Sequence, residues 1–364
     1  MNVGILTFPN SISYGASLQM IALQETVRGF GHEVEVINYH NPYMKAEKHL
    51  KKSKHNPLKF EIQKRVRPLL HRRLYRDFAQ FEKRFAHAYP VKSFTDKRKL
   101  VEIGKRYDAV ICGSDQVWCP MITGGDVSYF LDFCTDKTKR VAYAPSFGAE
   151  SFSEEFYRQI APELNRFTSL SARELPGKKI VEELTGRDTT LVVDPTFLVE
   201  QSHWEQMEKP HPAADQEYVL YFVVAQSEKL FRQCAEFAKQ HNLKMVAIGG
   251  NAIQARRNTD PMLEYVFDIG PEQWLYLVHH ARYVFTNSFH GTAFSVIYQK
   301  DFYLQYPAHT GSRLRQVVET LGLEDRVIRE GVPLTEEATP YAQAQPIFEQ
   351  MRANSLTYLE NALK

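Results

Sequence analysis

The residues best suited to chemistry stand where apolar runs give way to polar turns. In "TNSFHGTAFS", Thr286 to Ser295, a lone histidine lies between a phenylalanine and a glycine at the junction of a predicted strand and a predicted helix. A helix N-terminus presents unpaired backbone N–H groups and a positive dipole end, so His290 there can help hold an anion or pass it a proton. The alternative is that it caps the helix or satisfies a core hydrogen bond. In "LSARE", Arg173 offers a planar fork of donors suited to a carboxylate or phosphate. Otherwise it pairs with Glu174 or a neighbouring helix. "GSDQVW" puts Asp115 after a strand, where a carboxylate can act as a general base or bind sugar hydroxyls, or where Ser114 and Asp115 can cap the next segment. Asp194 precedes a proline in "VVDPT", which favours extended backbone and a turn at a domain joint.

Several common chemistries lack their sequence marks. There is no GxxxxGK[ST], no GxGxxG after the first strand, no GxSxG and no HExxH. "IGGN", Ile248 to Asn251, is a glycine turn of low specificity. The four cysteines, Cys112, Cys119, Cys134 and Cys234, lack CxxC spacing and read as reduced, structural residues. No metal cluster stands out and none is expected.

The elements that must position these residues alternate in type. Strand-like runs such as "NVGILTF", "EVEVINY", "YDAVICGSD", "RVAYAPSF", "YVLYFVVA", "LKMVAIGG", "YVFTNS" and "DFYLQYP" are separated by amphipathic stretches, the pattern of parallel sheets covered by helices. A helix is expected over Gly15 to Phe30, closed by Gly31. At 364 residues the chain suggests two domains, and the polar, proline-rich "EKPHPAADQE" reads as connecting sequence after the first. The expected division is residues 1–195, residues 196–345 and a C-terminal helix over 346–364. In open parallel sheets ligands sit at the carboxyl ends of strands, where most of these polar segments fall.

Hydrophobic residues make up 43% of the chain and charged residues 24%, as in soluble globular proteins. No apolar run approaches a membrane span and no secretory leader is visible, so a cytoplasmic location is expected. Net charge is +2, yet Lys45 to Arg84 holds fourteen Lys or Arg against four acids. This basic helical insertion, near 45–90, can bind nucleic acid or an anionic membrane surface. Its interleaved Leu58, Phe60, Ile62, Val66, Leu69 and Leu70 equally suit a packed helix with a solvated face. The packed helix is the favoured reading, and no nucleic-acid partner is expected.

Taken in order, "VGILTFPNSISYGASLQMIAL", "YDAVICGSDQVW", "YFLDF", "RVAYAPSFG", "LSARE", "VVDPT" and "TNSFHGTAFSVIYQKDF" resemble the polysaccharide pyruvyl transferase family over roughly Asn2 to Leu323. The resemblance implies a GT-B-like fold, two Rossmann-like domains facing a cleft, with a C-terminal helix packing back on the first. It also implies transfer of the enolpyruvyl unit of phosphoenolpyruvate onto two sugar hydroxyls, giving a cyclic ketal and phosphate, with phosphoenolpyruvate as co-substrate and no bound cofactor. By motif, His290, flanked by Phe289 and Gly291, matches the family histidine that engages the donor, and Arg173 matches an arginine at the same substrate. "GSRLRQ" supplies Arg313 for an expected further basic residue, whereas Ser288 stands where some members have a basic side chain. Asp115 and Ser114 are then candidates at the acceptor, as are Asn10 and Ser11 through hydrogen bonds and Tyr14 through stacking on a sugar ring. The acceptor is expected to be a glycan, and a lipid-linked one at the inner membrane face would give residues 45–84 a purpose. A nucleotide-sugar glycosyltransferase of the same architecture and a non-catalytic glycan-binding protein are the alternatives.

Overall fold

The computed structural model describes residues 1–44, 71–249, 258–307 and 311–364. Residues 45–70 of the basic segment, and Gly250 and Asn251 of the glycine turn, lie outside the described residues. The chain divides into two compact units, Met1–Val199 with Met351–Lys364, and Glu200–Gln350.

Unit 1 is built on a five-stranded parallel sheet in the order β3-β2-β1-β4-β5. Its strands are β1 (Asn2–Leu6), β2 (Glu33–Tyr39), β3 (Ala88–Phe94), β4 (Ala109–Cys112) and β5 (Lys139–Ala142). The central strands are apolar on both faces because helices cover both: Val3, Ile5, Leu6, Val110 and Ile111 have no exposed surface. Each such side chain contributes about 1.5–3 kcal/mol by leaving water. Helix α1 (Tyr14–Gly29) follows β1, and its C-terminus turns at Gly31, whose φ of 83° is the left-handed geometry glycine adopts without penalty. A two-stranded parallel sheet, β6 (Ser171–Ala172) with β7 (Thr190–Leu191), completes the unit. It is much shorter than the apolar runs "TSLSARE" and "TTLVVDP" indicate.

The described part of the basic segment contains helix α2 (Arg72–Phe85). Phe78 and Phe81 are buried, while Arg72, Arg73, Arg76, Lys83 and Arg84 face solvent. This end of the segment packs one face and exposes the other, while Leu58, Phe60, Ile62, Val66, Leu69 and Leu70 lie outside the described residues. β3 follows it and was not apparent from the sequence, because "AYPVKSF" carries a proline and a lysine. An edge strand tolerates both, since one side needs no partner.

Unit 2 repeats the topology. β8 (Tyr218–Phe222), β9 (Lys244–Ile248), β10 (Leu263–Val266), β11 (Tyr283–Thr286) and β12 (Asp301–Leu304) form a parallel sheet in the order β10-β9-β8-β11-β12. Helices α3 (Glu228–Gln240), α4 (Pro271–His279), α5 (Phe289–Ile297) and α6 (Ser312–Thr320) accompany it. Trp274, Phe294 and Trp204 pack edge to face at 5.1–5.2 Å between ring centroids. Helix α7 (Tyr341–Leu363) begins five residues before the expected C-terminal helix, and its last residues belong to unit 1. There Ser355 Oγ accepts from Val193 N at 3.0 Å and Tyr358 donates to Ala142 O at 2.9 Å. Among the described residues no helix is long and apolar enough to cross a membrane.

Candidate functional site

In both sheets the direction of winding reverses between the first and fourth strands, β1 and β4 in unit 1, β8 and β11 in unit 2. A crevice at the carboxyl ends of two such strands is where open parallel sheets take ligands. Asn10 and Ser11 follow β1, Asp115 follows β4 and His290 follows β11, whereas Arg173 and Asp194 follow the separate pair β6 and β7.

In unit 1, β4 ends at Cys112 and the chain turns through Gly113 to Asp115. Gly113 has φ 121°, and a Cβ there would lie 2.0 Å from Tyr143 O, so no other residue fits. Asp115 itself has φ 72°. A non-glycine residue is held in that left-handed region only by surroundings that over-determine it, and such positions cluster at functional sites. The surroundings are visible. Ser114 has no exposed surface; its hydroxyl donates to Ala144 O at 2.9 Å and its N–H to Gln19 Oε1 at 3.1 Å, while its carbonyl accepts from Thr7 Oγ1 at 3.1 Å. Ser114 is therefore committed to the fold, its surface covered and its polar groups bonded. Asp115 Oδ1 accepts from Gln116 N at 2.9 Å, and the side chain keeps 17% of its surface exposed.

Arg173 is buried, with 2% of its side chain exposed. β6 and β7 run parallel, with Ala172 opposite Leu191, so the residues leaving their carboxyl ends meet. Arg173 Nη1 lies 2.5 Å from Asp194 Oδ2, Nη2 3.5 Å from Asp115 Oδ1 and Nε 3.9 Å from Glu174 Oε2. Burial alone would lower the guanidinium pKa, but Asp194, Asp115 and Glu174 together hold it above its ordinary value. These pairs are the ion-paired alternative of the sequence reading, with two further carboxylates beside Glu174. Arg173 faces three carboxylates inside unit 1, and positions them. Asp194, read as a turn residue, does cap the turn after it through Thr196 N at 3.1 Å, yet it is also the nearest carboxylate to Arg173. Sequence spacing gave no sign of that pairing, since the two residues lie 21 apart.

The loop after β1 is held by α2. Asn10 N and Ser17 Oγ donate to the Glu82 carboxylate at 2.8 and 2.7 Å, and Asn10 Nδ2 donates to Asn38 Oδ1 at 2.6 Å. Burial raises the Glu82 pKa, and those two donors to its carboxylate offset part of the rise. The Tyr14 ring packs on Phe78 at 5.2 Å, so it is part of the α1–α2 contact rather than an open stacking platform. Asn10 and Ser11 line a small surface hollow of about 20 Å³ with Phe8, Tyr39, His40 and Asn41.

In unit 2, β11 delivers Asn287, Ser288, Phe289 and His290 to the start of α5. Asn287 ties the two strand ends together: its Oδ1 accepts from Val224 N at 2.9 Å and its Nδ2 donates to Ala225 O at 2.6 Å. Ser288, where a basic residue stands in some members of the resembled family, is the N-cap and accepts from Gly291 N at 3.2 Å. A Cβ at Gly291 would meet Thr286 Oγ1 at 2.4 Å, so glycine is what lets the helix start so close to the strand. His290 occupies the first turn, half-buried, with its ring 5.0 Å from that of Phe289 and nearly perpendicular to it. The Arg313 guanidinium, from α6, stands 5.9 Å from the centroid of the Phe289 ring. Phe289, His290, Gly291 and Arg313 are thus gathered at one helix N-terminus. The arrangement combines a positive dipole end, an imidazole and a guanidinium, which suits an anion.

A sequence model of the family described as polysaccharide pyruvyl transferase matches residues 14–304. The chain belongs to that family. No curated protein matches it. Among solved structures, a candidate UDP-N-acetylglucosamine 2-epimerase of Listeria monocytogenes aligns over 100% of this chain and 90% of its own at TM-score 0.55 and 10% identity. UDP-GlcNAc 2-epimerase of Neisseria meningitidis bound to UDP-GlcNAc gives TM-score 0.53 at 11% identity, covering 100% of this chain and 99% of its own. Anabaena HepE in complex with UDP and glucose gives 0.52 at 14% identity, with the same coverage of both chains. At such identities the likeness shows the fold: a pyruvyl transferase family member built, like these GT-B-fold neighbours, from two Rossmann-like α/β units.

Proposed function

We propose that the protein transfers the enolpyruvyl unit of phosphoenolpyruvate to two hydroxyls of a glycan, forming a pyruvate ketal and releasing phosphate. Family membership supports the reaction class, and the observation that carries the assignment of roles is the grouping of His290, Phe289 and Arg313 at the N-terminus of α5. Phosphoenolpyruvate brings a phosphate and a carboxylate, about three negative charges near neutral pH, and a helix N-terminus with a guanidinium matches that load.

The chemistry needs a proton at the donor's methylene carbon, which makes C2 electrophilic. One sugar hydroxyl adds to C2, the C2–O bond to phosphate breaks, and the second hydroxyl closes the ring; the two hydroxyl protons balance those taken up by the methyl group and the phosphate. His290 is the acid, or the donor to the departing phosphate. Asp115, held in place by Arg173, accepts the proton of an acceptor hydroxyl. Asn10 and Ser11 contact the acceptor. The exposed basic face of α2, Arg72, Arg73, Arg76 and Lys83, meets anionic lipid when the glycan is lipid-linked; vesicle binding that weakens with salt is expected, and salt-insensitive or absent binding overturns that part. We place the reaction at the cytoplasmic side of such a membrane.

The test is phosphate release from phosphoenolpyruvate across a glycan panel, followed by mass analysis of the product for the ketal. A nucleotide-sugar transferase is the second reading, favoured by the UDP complexes of the structural neighbours. It predicts that UDP-sugars, and not phosphoenolpyruvate, raise the melting point. A non-catalytic glycan-binding protein would bind glycan and consume neither donor.

A further inference from the structure

At the opposite end of the unit 2 sheet from His290, α4 finishes in two consecutive histidines before β11 begins. His279 Nδ1 lies 2.8 Å from Glu208 Oε1, and His280 Nδ1 lies 3.8 Å from Glu208 Oε2. One ligand atom from each of the three residues falls within 4.8 Å of the others. The Glu208 carboxylate has only 9% of its surface exposed, and the His279 ring 25%. Both imidazoles are fixed in orientation by aromatic stacking, His279 on Tyr298 at 4.3 Å and His280 on Tyr276 at 3.9 Å.

We propose that Glu208, His279 and His280 form a binding site for one divalent transition ion of the zinc class. Two imidazole nitrogens and a carboxylate oxygen are a common ligand set for such an ion, while magnesium and calcium prefer oxygen alone. Two ligands each about 2.1 Å from a tetrahedral ion stand roughly 3.4 Å apart. The separations of 2.8 Å to Oε1 and 3.8 Å to Oε2 lie either side of that spacing and the three ligand atoms fit within 4.8 Å, so side-chain rotations that gather them about one point admit the ion. His280 Nδ1 is also 3.0 Å from Tyr276 O, and that hydrogen bond gives way when the ion binds. Glu205, whose Oε1 is 3.9 Å from His279 Nε2, receives the outer N–H of that ring, as a carboxylate behind a metal-bound histidine commonly does. The ion ties the segment after the short helix Gln201–Glu205 to the end of α4, beside the existing backbone bond from Lys209 N to Glu272 O. Its role is to brace unit 2, and it does not depend on the pyruvyl transfer reading.

The experiment is calorimetric titration of zinc chloride into tag-free, chelator-stripped full-length protein, with thermal unfolding in parallel. One zinc per chain and a raised melting midpoint are expected, with affinity reduced at least about tenfold in His279→Ala and in His280→Ala. Magnesium chloride should give neither heat nor stabilisation. Should His279→Ala fail to fold, His280→Ala carries the test, since its ring is 42% exposed and its melting midpoint in chelator should equal that of the parent. Absence of zinc binding, or equal binding by the parent and His280→Ala, overturns the proposal.

Discussion

β4 in unit 1 and β11 in unit 2 hold equivalent places in sheets of the same winding, yet the side chains at their carboxyl ends differ in charge and in freedom. After β4 the chain is locked: Gly113 is against Tyr143 O, Ser114 is fully hydrogen-bonded, and three carboxylates surround one buried guanidinium. After β11 a helix N-terminus, an imidazole and a guanidinium face an aromatic ring. The first arrangement repels a trianion and presents an oriented carboxylate. The second attracts one. In the proposed function the same fold separates two tasks by strand-end chemistry, donor binding at His290 and Arg313 and acceptor activation at Asp115.

That contrast can be broken most sharply at His290. His290→Ala should lower kcat with phosphoenolpyruvate and the true acceptor by about 10²- to 10⁴-fold with an unchanged melting midpoint, and near-parental turnover would remove it from the reaction. Arg173→Met should act on the fold instead. Removing one partner of a buried charge cluster costs about 3–5 kcal/mol, so denaturant unfolding should shift strongly; a stable variant with only a raised donor Michaelis constant would support a donor clamp instead. Arg313→Gln should raise the donor's half-saturation about tenfold, since a charge-assisted hydrogen bond is worth about 1.5–3 kcal/mol.

Much of this division was legible in the sequence. "YVFTNSFHG" could be read as a strand giving way to a helix because a continuous apolar run stops at a polar turn. Likewise the apolar "YDAVIC" stops at Gly113, whose role as a turn residue follows from its type. Long-range polar pairing was not legible: the Arg173–Asp194 contact needs the parallel β6–β7 pair, and each of those strands is two residues long. Neither was the Tyr14–Phe78 contact, which depends on α2 folding over the β1 loop. Glu208 and His279 lie 71 residues apart, beyond the reach of any spacing rule.

The smallest expected effect sharpens the account of that loop. Burial raises the Glu82 pKa, so folding favours its protonated form. The native state then binds more protons than the unfolded one above the ordinary value of 4.5, and stability falls as pH rises from there through the folded pKa. Glu82→Gln should flatten that slope in a pH series of unfolding curves, and an unaltered slope would show that Glu82 is not its source.

The assignment of the two tasks is tested most directly by equilibrium binding of phosphoenolpyruvate alone, without acceptor, to the parent protein, Arg313→Gln and Asp115→Asn. Binding about tenfold weaker in Arg313→Gln and undiminished in Asp115→Asn is expected. Loss of binding in Asp115→Asn, with Arg313→Gln unaffected, would contradict that assignment.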